Sequence, residues 1–83
     1  MDSEIIDQRI ANGIREIRED LHITQSEMAE YLGVSRQQIA KYEKGKSRIS
    51  AGKLFVLCKE LGTTPDVLFH TLMVKKIAES FIG

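Results

Sequence analysis

The stretch from Thr24 to Gly45, TQSEMAEYLGVSRQQIAKYEKG, admits little besides two short helices joined by a tight turn. Thr24 with Glu27 three residues on is a capping box. Its hydroxyl meets an orphan N–H of the first turn, and the carboxylate reaches back to the cap. Met28, Ala29 and Leu32 then fall on one face, and Gly33 supplies the left-handed residue with which a helix stops sharply. Ser35 with Gln38 repeats the start signal at once, and Gly45 repeats the stop. Two helices this short bury too little by themselves, so the rest of the chain must wrap them.

The flanking sequence supplies that wrapping. Ile6, Ile10, Ile14, Ile17 and Leu21 recur at helical spacing, which predicts a first helix from about Ser3 to Asp20 with this face inward. Ser50 caps a fourth helix whose Leu54, Phe55, Leu57, Cys58 and Leu61 are expected to face the core, ended by Gly62. Thr64 before Pro65 starts a fifth, with proline where no donor is missed. No strand pattern or repeat interrupts this order. The expected fold is all-α, one compact domain of five helices over residues 1–83, with a core at 10–69 and a C-terminal extension at 70–83.

Charge is neutral in sum and polarised in sequence. Residues 1–34 hold eight acids against three bases, whereas residues 35–53 hold six bases (Arg36, Lys41, Lys44, Lys46, Arg48, Lys53) against Glu43 alone. The basic segment is where a polyanion would dock. It coincides with the third helix and the loop after it. At about 100° per residue, Ile39 and Tyr42 share one side of that helix, and Arg36, Gln37, Ala40, Lys41 and Lys44 occupy an arc of about 140° on the other. Arg and Lys match guanine O6 and N7, and Gln matches adenine N6 and N7. Ala40 in mid-arc allows close approach and contact with a thymine methyl. Gln25 at the second helix N-terminus, with Lys44, Lys46, Ser47 and Arg48, is suited to grip phosphates, contacts that set register and carry no sequence information. A merely solvated polar face is the bland alternative, and the basic loop in register with the turn weighs against it.

These residues resemble the helix-turn-helix domains of the lambda-repressor, Cro and XRE type. The resemblance covers about Ile10 to Phe69. It rests on ITQSEMAEYLGVS, on Ile39 and Tyr42, and on YEKGKSRIS and KLFVLCKELGTTPDVLF, with Ala29, Gly33 and Ile39 at the spacing that marks the motif. It implies sequence-specific binding of duplex DNA by a homodimer on a palindromic operator. Arg36, Gln37 and Lys41 match its base-reading positions, Gln25 its phosphate-contacting glutamine, and Arg18 and Glu43 an ion pair tying the first helix to the recognition helix. Short length and a closing helix also resemble the controller proteins of restriction and modification systems. The neutral overall charge departs from the basic balance common in the family.

From Val67 to Ile82, ten of sixteen residues are apolar, a stripe too wide for one packing partner. Leu72, Met73, Ile77 and Phe81 are therefore expected to meet a second copy, setting two recognition helices about 34 Å apart, one turn of DNA. An antitoxin-like module whose tail binds a partner protein is the alternative.

Other chemistry lacks residues to carry it. Cys58 lies on an apolar helix face, the place of a small buried hydrophobe. His22 and His70 have no companion at metal-ligand spacing, so neither a metal nor another cofactor is expected. No nucleophile or nucleotide signature suggests an enzyme. The start MDSEIID has no basic flank or apolar signal segment, and no apolar run reaches the roughly 18 residues needed to span a bilayer. A cytoplasmic location is expected.

Overall fold

The computed structural model describes the backbone of residues 2–82 and the side chains of residues 2–73. It is built of α1 (Ser3–Asp20), α2 (Gln25–Leu32), α3 (Arg36–Glu43), α4 (Ala51–Leu61) and α5 (Pro65–Ile82), with no strand among the described residues. No helix among them is long and apolar enough to cross a membrane.

Each helix starts where a side chain can accept an orphan N–H. Asp2 accepts from Glu4 N–H at 2.9 Å. The Thr24 hydroxyl accepts from Glu27 N–H at 3.0 Å while the Glu27 carboxylate accepts from Thr24 N–H at 2.9 Å, completing the expected box. At Ser35 the first half forms, with Gln38 N–H donating at 3.0 Å, and Ser50 caps α4 through Lys53 N–H at 3.1 Å.

Endings are equally local. Gly33, Gly45 and Gly62 all adopt φ between 66° and 74°, and the residue after each donates its N–H back over the final turn. The same closure ends α1 at His22, a non-glycine residue with φ 57°, where Ile23 N–H reaches Arg18 C=O at 3.2 Å. A side chain there costs about 1–2 kcal/mol relative to the right-handed region. No glycine marks this stop.

The core lies between α2–α3 on one side and α4–α5 on the other, with α1 laid across α3 and α5. Ile14, Met28, Leu32, Ile39 and Leu57 are fully buried, and each such side chain contributes about 1.5–3 kcal/mol. Cys58 is buried among them. Two residues expected inward are not. Leu21 is 48% exposed because α1 has already ended at Asp20 and the chain is turning, and Phe55 is 51% exposed because Leu54, Leu57 and Cys58 use the whole inner face of α4.

The C-terminal stripe also divides differently from expectation. Leu72 is buried in this domain's own core, seated against Gly13 of α1, and does not present itself to a second copy. Met73 is half-buried against the same core, while Ile77 and Phe81 lie outside the residues with described side chains. Arg9 adds a bond across the α1–α5 seam, donating from Nη1 to the Met73 carbonyl at 3.3 Å.

Gly13 allows α1 and α5 to come this close, since a Cβ there would collide with Leu72 Cδ2 and stand 3.4 Å from its Cα. Gly13→Ala sets an overpacking cost of about 1–3 kcal/mol against a helix gain of about 0.5–1 kcal/mol. Thermal denaturation should therefore show a fall in Tm of several degrees; a rise would mean that α5 yields without cost.

Candidate nucleic-acid interface

The α3 helix presents two faces, and different forces fix each. Inward, Ile39 is fully buried and Tyr42 is buried beside it. Outward, Arg36, Gln37 and Lys41 are exposed and Ala40 is half-buried between them. All four expected base-reading residues therefore belong to one surface. Helical spacing alone required this once the apolar face was buried.

Glu43, at the last turn of α3, is buried and charged. Arg18 of α1 meets it with both edges of the fork, Nε to Oε2 at 2.7 Å and Nη2 to Oε1 at 3.2 Å, and spends Nη1 on the Ile23 carbonyl at 3.0 Å. The hydrogen bond to Glu43 raises the Arg18 pKa above its ordinary value. The expected ion pair is thus present, and it also grips the turn between α1 and α2.

Gln25 extends this network toward the reading face. Its Nε2 donates to Glu43 Oε1 at 3.1 Å, and its Oε1 accepts from Arg36 Nη1 at 3.4 Å. A carboxylate only accepts, so Glu43 dictates which way the Gln25 amide faces and leaves the oxygen for Arg36. One amide hydrogen is left for an outside acceptor. Sequence placed Gln25 at a helix start but gave no sign of its link to α3, because the link spans the turn.

The basic segment separates into free and engaged charges. Lys44 and Lys46 are exposed, and Ser47 is half-buried on the loop after α3, where its N–H reaches Lys41 C=O at 3.4 Å. Arg48 pairs through Nε with Asp7 Oδ2 of α1 at 3.0 Å, an exposed pair of the kind worth at most about 1 kcal/mol. Lys53 is turned away from α3 altogether, its Nζ donating to the Leu32 carbonyl at the end of α2 at 2.8 Å. α1 lies close along the loop: a Cβ on Gly45 would stand 2.8 Å from Gln8 Oε1. Sequence analysis missed Asp7 and Gln8 as neighbours of this surface. Their helical phase put them beside the Ile6 and Ile10 stripe, but phase does not say which loop crosses that shoulder.

A helix-turn-helix family model matches residues 14–68. An uncharacterised transcriptional regulator from the ATPase CF(0) region of Rhodospirillum rubrum is 39% identical over 67 residues, 81% of this chain and 62% of that protein. An uncharacterised HTH-type transcriptional regulator of Sinorhizobium fredii is 36% identical over 70 residues, 84% of this chain and 49% of that protein. The chain spans about half the length of the curated relatives it matches. In fold it is similar to a crystallised mutant of the restriction-modification controller protein C.Esp1396I, with a TM-score of 0.74 and 23% identity over 88% of this chain and 91% of that one.

Side-chain exposures of 16% for Arg18 and 4% for Glu43 put their pair in the class whose disruption is costly, because removing one partner strands the other. Glu43→Ala should destabilise the fold by about 3–5 kcal/mol. Urea denaturation should show the double substitution with Arg18→Ala to be little worse than either single one. Additive losses would mean that the two residues act separately.

Proposed function

The chain belongs to the helix-turn-helix family, and from that premise we propose that it is a transcription regulator that reads duplex DNA with the outer face of α3. Arg36, Gln37, Ala40 and Lys41 contact bases in the major groove, and Gln25, Lys44, Lys46, Ser47 and Arg48 hold the flanking phosphates. The observation that carries this reading is the contrast within α3. Its inner face is fixed by Ile39, Tyr42 and the Glu43–Arg18 pair, while Arg36, Gln37 and Lys41 remain exposed among the described residues. A rigid helix with long polar side chains pointing outward fits a groove that admits a helix and rewards bidentate donors.

The regulator acts as a homodimer on a palindromic site. Support for a second copy now comes from the α4–α5 corner, with Leu72 occupied in the core. Phe55, Val67 and Phe69 are 51%, 55% and 40% exposed, and an apolar cavity of about 220 Å³ lies among Leu54, Phe55, Cys58, Pro65 and Phe69. Exposed aromatic area of this kind is what an interface core uses. Lys59 lies over the Phe55 ring at 5.4 Å and gives the patch a charged rim.

Arg36→Ala or Lys41→Ala should weaken binding to an operator recovered by in vitro selection by about ten- to a hundredfold, with little change on random duplex at the same salt. Equal losses on both would contradict base reading. For the dimer, Phe69→Ser is the suitable variant, since truncation after residue 69 would also delete core residue Leu72. Sedimentation equilibrium should show the unsubstituted chain as a dimer and the variant dissociating at least tenfold more readily. An unchanged dimer would remove this corner from the interface, and an unsubstituted chain that is monomeric until a second protein is added would favour the partner-binding alternative.

A further inference from the structure

A cavity of about 360 Å³ lies away from both α3 and the α4–α5 corner, in an open groove between the α1–α2 turn, α2 and α4. Its floor is Met28 and Leu57, both fully buried, with Ile23 beside them; its walls are Leu21 and Tyr31, 48% and 43% exposed. A concave apolar site of this volume is at the small end of the roughly 300–1,000 Å³ range typical of binding clefts. It has too few convergent polar groups to orient a small molecule, since Glu60 is the one charged side chain that lines it.

The surrounding charge is of one sign. Glu60 is exposed at the edge, and exposed Glu27 lies one turn before Tyr31. The lysines of α4 do not offset them: Lys53 is bound to the Leu32 carbonyl, and Lys59 lies over Phe55 on the other side of the helix. Nucleic acid and anionic lipid are both repelled by such a rim. A second copy meeting this groove symmetrically would set carboxylates against carboxylates, which is unfavourable for an isologous contact.

We propose that this groove is a docking site for a basic amphipathic helix of another protein. Apolar side chains at i, i+3 or i+4, and i+7 enter between Leu21 and Tyr31, and flanking lysines or arginines meet Glu60 and Glu27. The site does not depend on the DNA reading, because none of the residues assigned to bases or phosphates lines it. A chain bound to DNA through α3 therefore keeps this groove open, and its acidic N-terminal third becomes the surface presented to a protein.

The test uses the full chain labelled with ¹⁵N and a synthetic 15-residue helical peptide bearing leucines on one face and lysines on the flanks; the control carries glutamates in place of the lysines. Binding of the basic peptide should perturb amides at residues 20–31 and 57–61. Glu60→Lys and Tyr31→Ala, both at exposed positions, should each weaken it by at least fivefold while leaving operator binding intact. The acidic peptide should not bind. Equal binding of the two peptides, perturbation centred on Phe55 and Phe69, or no binding would each overturn the proposal. Groove perturbations on raising the concentration of the chain alone would identify a second copy as occupant and overturn it as well.

Discussion

Arg18 and Glu43 set the position of the whole outer face of α3, because α3 is too short to orient itself. Eight residues make barely two turns, and Ile39 and Tyr42 fix how deep the helix sits more firmly than how it is rotated. A bidentate guanidinium–carboxylate pair is directional in a way that apolar packing is not. With Nη1 on the Ile23 carbonyl, one arginine also holds the turn that aims α2. Glu43 in turn orients Gln25, and Gln25 meets Arg36, so the same carboxylate reaches from the interior to the surface. Replacing a buried pair with apolar residues is often neutral for stability, which suits a role in geometry more than in free energy.

The local part of this architecture was legible in the sequence. Caps and glycine stops act over three or four residues, so Thr24, Gly33, Ser35 and Gly62 could be read without tertiary information, and the outward placement of Arg36, Gln37 and Lys41 followed from helical phase. What escaped was the identity of packing partners. Periodicity gave the tail a wide apolar stripe but not the fact that Gly13 opens a slot for Leu72. It placed Phe55 beside Leu54 without revealing that α5 covers only part of α4. Helix α1 ends at Asp20 as its spacing predicts, but Leu21 lies outward and not inward, because the chain turns at once through His22, which adopts a conformation usually reserved for glycine or asparagine.

Charge followed the same rule. The sequence divides into an acidic third and a basic segment, and folding partly recombines them: Arg18 is held by Glu43 and Lys53 by a helix end, while Arg48 pairs with Asp7 and stays exposed. Arg36, Lys41, Lys44 and Lys46 remain exposed around α3 and the loop after it. A domain with this few outward bases gains little from counterion release on arbitrary duplex, since that contribution grows with each phosphate neutralised. Under the proposed function, discrimination then falls to base contacts and to the simultaneous use of two half-sites.

That division explains why a small neutral domain places separate demands on its three surfaces. A chain of 83 residues buries only roughly three-fifths of its unfolded surface, so some apolar area must remain outside the core. Among the described residues, most of the exposed large apolar side chains other than Ile5 are gathered at two places, the Phe55–Phe69 corner and the Leu21–Tyr31 groove. Neither adjoins the outer face of α3, where apolar residues would compete with the polar contacts that distinguish one base from another. The corner has a lysine at its rim and the groove has carboxylates, so occupants suited to one are poorly matched to the other. Segregation by charge thus leaves the outer face of α3, the corner and the groove as three separate surfaces, so the occupants proposed for them would not displace one another.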